Sequence, residues 1–368
     1  MIAPVNEQLG QLAGDLVYFA AATYAVAFIL FTLDFARAAA AKPAAAKAAG
    51  TASERTVSGA RRPAMASAGA GGSSEDWFED GEARENAAST PGARASGRAD
   101  DELFADAEME YDSSRVRPQG RAAVAIMVIA ALIHGTAVVM RGVAAHRVPW
   151  GNMYEFCTTG AFIVAAVFLL VLVRRDLRFL GAFVTGLVTL MLCAAAIGFP
   201  TPVGNLVPAL QSYWIVIHVS IAVLSSALFT LTFAMAVLQL FQARRTARIE
   251  ATGVDPMPVL SRVPSAASLE NFAYRINIIA FIFWTFTLIA GAIWANEAWG
   301  RYWGWDPKEV WTFIIWVVYA AYLHARATRG WTGTRAAWLS IAGYACVIFN
   351  FAVVNVVFNS IHSYSGLK

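Results

Sequence analysis

Charge is scarce in this sequence. Of 368 residues only 14% are Asp, Glu, Lys or Arg, while 58% are hydrophobic and the mean hydropathy is +0.53. A water-soluble domain carries nearly twice that share of charge, so an ordinary set of soluble domains is excluded. The net charge of +3 makes no case for a nucleic-acid partner. Cysteine is nearly absent as well. Cys157, Cys193 and Cys346 lie far apart inside apolar stretches, with no CxxC, no zinc spacing and no disulfide framework. The chain therefore brings no thiol pair of its own.

What is abundant is apolar sequence in runs of about 20 residues, each long enough to cross a hydrocarbon core of about 30 Å. Eight spans are expected, at 15–36, 121–141, 155–173, 179–199, 213–241, 273–295, 308–325 and 337–359. Backbone polar groups cannot stay unpaired in lipid, so the fold class is all-α, a polytopic transmembrane helical bundle. No basic stretch precedes the first span, the first Lys or Arg being Arg37, so it reads as a retained helix rather than a cleaved signal.

Lys and Arg set the orientation. Of the 28, 23 fall on one side of these spans and five on the other, and without the long 37–121 segment the balance is still 11 to five. This predicts both termini outside, together with the loops at 142–154, 200–212 and 296–307. The organisation is then a first transmembrane helix at 1–37, an insert at 38–120 and a transmembrane domain at 121–368. The insert combines Ala/Lys repeats, AGAGGSS and acidic patches with little aliphatic clustering. It is expected to be disordered and cytoplasmic, since it cannot bury enough apolar surface to offset chain entropy.

The sharpest local feature is the loop at 294–311. Trp294, Trp299, Trp303, Trp305 and Trp311 put five of the twelve tryptophans into eighteen residues. An interfacial belt would spread them over many helix ends. Their concentration, with Gly300 and Gly304 between them, suggests a platform on which something flat can stack. The same stretch writes a helix start: Asp306 as N-cap, Pro307 at the first position and Glu309 closing a capping box. With Lys308 and Arg301 nearby, that helix start is also expected to favour ligand carboxylates.

Five histidines are present. His218, near the outer end of the fifth span, and His362, after the eighth, flank the tryptophan loop. Asn355, Asn359 and His362 are spaced to share one helical face. Two imidazoles across an aromatic platform, with positive groups beside them, describe a haem site with both axial positions taken by histidine. His324 lies at the inner end of the seventh span, too far away to bind the same iron. It fits an inner site whose second ligand is unaccounted for in this chain. His134 and His146 read as structural.

The WGxYWxWDPKExW segment from Trp299 to Trp311 resembles the "WWD" signature of haem-handling proteins in cytochrome c maturation. Tyr322-Leu-His324, Ile361-His362-Ser363-Tyr364, Pro208 to His218 and Pro149 to Glu155 together resemble the CcsA/ResC-type subunit of system II. The likeness covers 121–368 and leaves the 38–120 insert outside. It implies a cytochrome c synthetase (haem lyase) subunit in the plasma membrane with an extracytoplasmic active face. It further implies a ResB-type partner subunit, an apocytochrome c carrying CxxCH as substrate, and a separate thiol-reducing protein. Haem b is the implied cofactor, exported and then presented for thioether attachment. The resemblance assigns His218 and His362 to the outer iron and His324 to the inner one. Trp299, Trp303, Trp305 and Asp306 would form the haem-binding surround, with no catalytic residue beyond haem presentation. The alternative is a b-type electron-transfer protein with permanent haems, although such proteins generally pair histidines at one depth on facing helices.

Overall fold

The computed structural model describes residues 4–57, 118–358 and 360–362. Among these residues, eight helices are long and apolar enough to cross a membrane. They are α1 (Glu7–Val57), α2 (Pro118–Ala145), α3 (Met153–Arg174), α4 (Gly181–Cys193), α5 (Tyr213–Thr252), α6 (Ala266–Trp299), α7 (Pro307–Arg329) and α8 (Thr334–Ile348). A π-helical turn, Ala194–Gly198, extends α4. Another, Phe349–Val354, leads α8 into a last turn at Asn355–Val357. All eight expected spans are present.

Two expectations need correction. α1 does not stop near Arg37 but continues to Val57, so the start of the expected disordered insert is helical, in keeping with its run of alanines. Residues 58–117, the rest of that insert, lie outside the described residues. Nor do Asn355 and His362 share a helical face: the helix ends at Val357, and His362 sits in a turn beyond it. Asn359 lies outside the described residues.

α1 and α2 pair antiparallel, with Asn6 N–H bonded to the Ala144 carbonyl at one end and Gly120 against Asp34 at the other. Their buried positions follow alternating steps of four and three. On α1 these are Ala13, Val17, Ala20, Tyr24, Ala27 and Phe31; on α2 they are Ala123, Met127, Ala130, His134, Ala137, Arg141 and Ala144. That period gives a left-handed coiled-coil seam, and the small residues let the backbones approach where lipid supplies no hydrophobic drive. α4 packs on α1, and α3 joins α4 to α5. α6 and α8 cover other sides of α5, and α7 packs on both α6 and α8. α5 thus stands between an amino-terminal group of helices and a carboxy-terminal one.

One end of the bundle is tied together by polar bonds. Glu155, fully buried on α3, accepts from Arg141 of α2 (3.1 Å) and from Arg147 (2.7 Å). Arg141 also donates to the Thr201 and Pro202 carbonyls, and Arg147 to that of Gly204. Trp294 Nε1 donates to the Ala209 carbonyl. These bonds gather the loops after α2 and α4 beside the end of α6.

Candidate functional site

α5 begins beside this knot. Ser212 caps it, accepting from Trp214 N–H, and five residues along the helix His218 faces α6. There its Nδ1 lies 2.9 Å from the Thr287 carbonyl. A carbonyl can only accept, so Nδ1 carries the proton and the Nε2 lone pair is left free. The close approach depends on Gly291. A Cβ at that position would stand 2.7 Å from His218 Cε1 and 2.9 Å from Nδ1. One turn further, the Trp294 indole stacks on the imidazole, with centroids 5.9 Å apart and planes within 13°.

α6 ends at Trp299, with Gly300 in the left-handed conformation as its cap (φ 69°). α7 starts as expected: Asp306 accepts from Lys308 N–H (3.0 Å), and Glu309 accepts from Asp306 N–H (3.1 Å). The same Asp306 carboxylate reaches across to the segment after α8. Its Oδ1 accepts from His362 Nδ1 at 2.8 Å and its Oδ2 from Ile361 N–H at 3.1 Å. Burial pushes the Asp306 carboxyl upward. The His362 imidazole and the Lys308 and Ile361 amides outweigh that effect and hold it below its usual value. His362 is thereby set with Nδ1 as donor, and its Nε2 has no hydrogen-bond partner among the described residues. Orienting a ligand imidazole through its second nitrogen is the general arrangement at metal-binding histidines.

Both imidazoles border the same indole. Trp294 lies 5.5 Å from His362 edge-on, and Trp299 packs edge-on against both Trp294 (4.7 Å) and His362 (4.8 Å). His218, His362, Trp294, Trp303 and Lys308 line one cavity of about 280 Å³. Buried in its wall, Trp150 Nε1 and Asn350 Oδ1 have no hydrogen-bond partner among the described residues. Two free Nε2 atoms beside a stacked indole, with an unpaired donor and acceptor, fit a flat polar-edged ligand that brings its own metal. A haem supplies the metal, the flat face and, in its propionates, an acceptor for Trp150 Nε1, although it has no donor for Asn350 Oδ1.

The profile of the cytochrome C assembly protein family matches residues 150–362, which include every residue of this cavity. The chain belongs to that family. A "Cytochrome c biogenesis protein CcsA" of Heterosigma akashiwo is 35% identical over 249 residues, 60% of this chain and 77% of that protein. One from Gloeothece citriformis is 35% identical over 284 residues, 66% of this chain and 85% of its own length. A solved chain named "Cytochrome c Heme Lyase CcmF" superposes with a TM-score of 0.47 at 18% identity, over 81% of this chain and 51% of that one.

Within this cytochrome C assembly chain the expected site residues divide. His218, His362, Trp299 and Asp306 come together. Trp303 stands at the rim of the cavity, 37% exposed, with Trp305 edge-on to it. Trp305 points away and is 76% exposed, its backbone in the left-handed region (φ 59°) that a bulky side chain adopts only under constraint. His324 is exposed on α7, 17 residues beyond Pro307 and so about 25 Å along the helix, and does not line the cavity. His134 is fully buried between Tyr24 and Phe162, a core position, and His146 is exposed.

The expected carboxylate site at the start of α7 is already filled by the protein. Glu309 accepts from Gly304 and Asp306 N–H and pairs with Arg301. Lys308 Nζ donates to the Asn350 carbonyl and to Asn355 Oδ1, bracing the π-turn after α8. Thr287, Gly291 and Trp294 were not singled out by the sequence reading as ligand-positioning residues. With Trp284 they recur at steps of three, four and three, one face of α6, and all four line the cavity.

Proposed function

We propose that this chain is the haem-handling subunit of a cytochrome c synthetase. His218 and His362 hold haem by their free Nε2 atoms at an extracytoplasmic site in the plasma membrane. The haem is there presented to the CxxCH cysteines of an apocytochrome c. The observation that carries the reading is the pair of Nδ1 bonds, His218 to the Thr287 carbonyl and His362 to Asp306, on two rings that flank Trp294. Membership of a cytochrome C assembly family supports it.

When bound, haem supplies the vinyl carbons that become thioethers. The chain's own residues orient and shield. Thr287 and Asp306 hold the imidazoles in the ligating tautomer. Trp294 and Trp299 exclude water from their faces, and with both imidazoles on it the iron of a bound haem would be closed to other ligands. A ResB-type partner supplies what the chain lacks, above all a second ligand for an inner site at His324. Reduction of the substrate thiols falls to a further protein.

The test is the absorption spectrum of the reduced protein purified with a ResB-type partner. A low-spin bis-imidazole spectrum, lost in His218→Ala and His362→Ala together with cytochrome c assembly and partly restored by free imidazole, is the expected result. Unchanged assembly in either variant removes that histidine from the site. Haem that stays bound while apocytochrome is turned over indicates an electron carrier instead.

A further inference from the structure

The cavity reaches much deeper than the two imidazoles require. It descends from His218 to Thr230 along α5, from Met153 to Val164 along α3, from Ala295 to Trp284 along α6 and from Asn355 to Tyr344 along α8 and the turns that extend it. At 1.5 Å per residue each descent is about 16–18 Å, roughly half of a bilayer core. Its walls below the histidines are mainly apolar, with Ser226 and Thr230 among the exceptions, and among the described residues one side is not closed by helix packing. α3 and α4 stand on one side of α5 and α8 on another, and neither α3 nor α4 packs along the length of α8.

Two aromatic bars bound this open side. At the upper end Phe156 of α3 meets Phe351 beyond α8, with centroids 5.0 Å apart. At the lower end Phe183 of α4, Phe233 of α5 and Tyr344 of α8 form a row, at 6.0 and 4.5 Å. Between the bars the cleft is lined by Gly160, Val164, Leu187, Met191, Val347 and Ile348. Ile348 belongs to the cavity wall and is nevertheless 44% exposed, which places it at a mouth on the helix surface. At that depth the surroundings are hydrocarbon, not water.

We infer that the cleft between α3–α4 and α8, framed by the Phe156–Phe351 and Phe183–Phe233–Tyr344 bars, is the entrance through which haem passes edge-on from the bilayer to the His218–His362 site. The inference rests on the haem reading above and adds the route. The occupant follows from continuity, because the cleft and the imidazole site are one cavity and a planar, largely apolar macrocycle fits both. The route also accommodates His324, which lines no part of the cavity: haem leaving an inner site would travel outside the helices of this chain before entering.

The experiment narrows the cleft away from the imidazoles, with Ile348→Trp at the mouth and Ser226→Trp on the α5 wall, two turns below His218. In cells expressing the full chain with a ResB-type partner, haem occupancy of the purified variants should fall several-fold. The same apo proteins in detergent, titrated with haemin from water, should still reach the wild-type bis-imidazole spectrum. Wild-type occupancy of both variants in cells overturns the entrance. Should the tryptophans also block uptake in detergent, Ile348→Cys decides the matter. Alkylation in membranes by a bulky lipid-soluble maleimide, with identically treated wild-type chain as reference, should then stop later loading. Unaltered loading overturns the proposal. Failure of the haem reading looks different, since the wild-type chain itself would then show no bis-imidazole spectrum.

Discussion

Asp306 and His362 are joined by a 2.8 Å bond between the cap of α7 and the segment that follows α8. One carboxylate caps a helix and orients the imidazole proposed to hold haem. Oδ1 serves the helix amide of Lys308 and the imidazole, while Oδ2 takes Ile361 N–H. Any change at this position therefore acts on two links, the stability of a helix start and the aim of a ring nitrogen.

These two roles can be separated. Asn caps helices about as well as Asp, so Asp306→Asn should change stability by less than about 1 kcal/mol. Its one oxygen can still accept from Lys308 and His362, but as a neutral and weaker acceptor, and its amide nitrogen now faces Ile361 N–H. Haem affinity should therefore fall by about 10–100-fold, the usual cost of disturbing the partner of a metal-ligating imidazole. Thermal unfolding and haemin titration of one preparation measure both. Equal haem affinity with lost stability would show that Asp306 is a cap alone.

Gly291→Ala places a methyl group 2.7 Å from His218 Cε1, closer than the two atoms can stand. α6 gains helix propensity, so the helix itself should not suffer. The imidazole has to move off the Thr287 carbonyl, and haem occupancy should drop several-fold while the helical circular dichroism is retained. Wild-type occupancy would mean that the His218 ring does not depend on this contact.

Glu155 compensates Arg141 and Arg147 in a place where its side chain has no solvent contact. Glu155→Gln removes the charge and keeps the shape. Breaking a buried pair this way costs about 3–5 kcal/mol, and here the loss should appear as a lower unfolding temperature in detergent. Trp150, Asn152 and Met153, which line the cavity, are held by the same knot, so occupancy should decline with stability.

His324→Ala should stop cytochrome c assembly in cells and leave the outer site able to take added haemin in detergent, since the residue lies about 25 Å along α7 from its start and outside the cavity. Normal assembly in that variant removes the inner station from the scheme.

The helices and their caps were legible in the amino-acid order because their causes are local. A run of apolar residues in lipid has only a helix to satisfy its backbone, and Asp306, Pro307 and Glu309 write a helix start within four residues. After Arg37 the Ala-rich stretch continues α1, because alanine favours a helix even where composition offers no apolar face. Parts of the site were legible too: His218, His362 and the tryptophans stand out as polar or amphipathic groups at the ends of apolar spans, where such groups are costly without a purpose.

What the tertiary structure alone decided is which of these groups meet and how each is aimed. The sequence separation of 69 from His218 to the Thr287 carbonyl, and of 56 from Asp306 to His362, is closed by helix packing. No short-range pattern encodes such contacts. The same packing turned Trp305 outward and Trp294 inward, spent Lys308 and Arg301 on internal partners, and left α8 parted from α3 and α4. A residue's identity sets what it can bind; the free nitrogen and the open side of a cavity exist only where distant helices have taken up every other option.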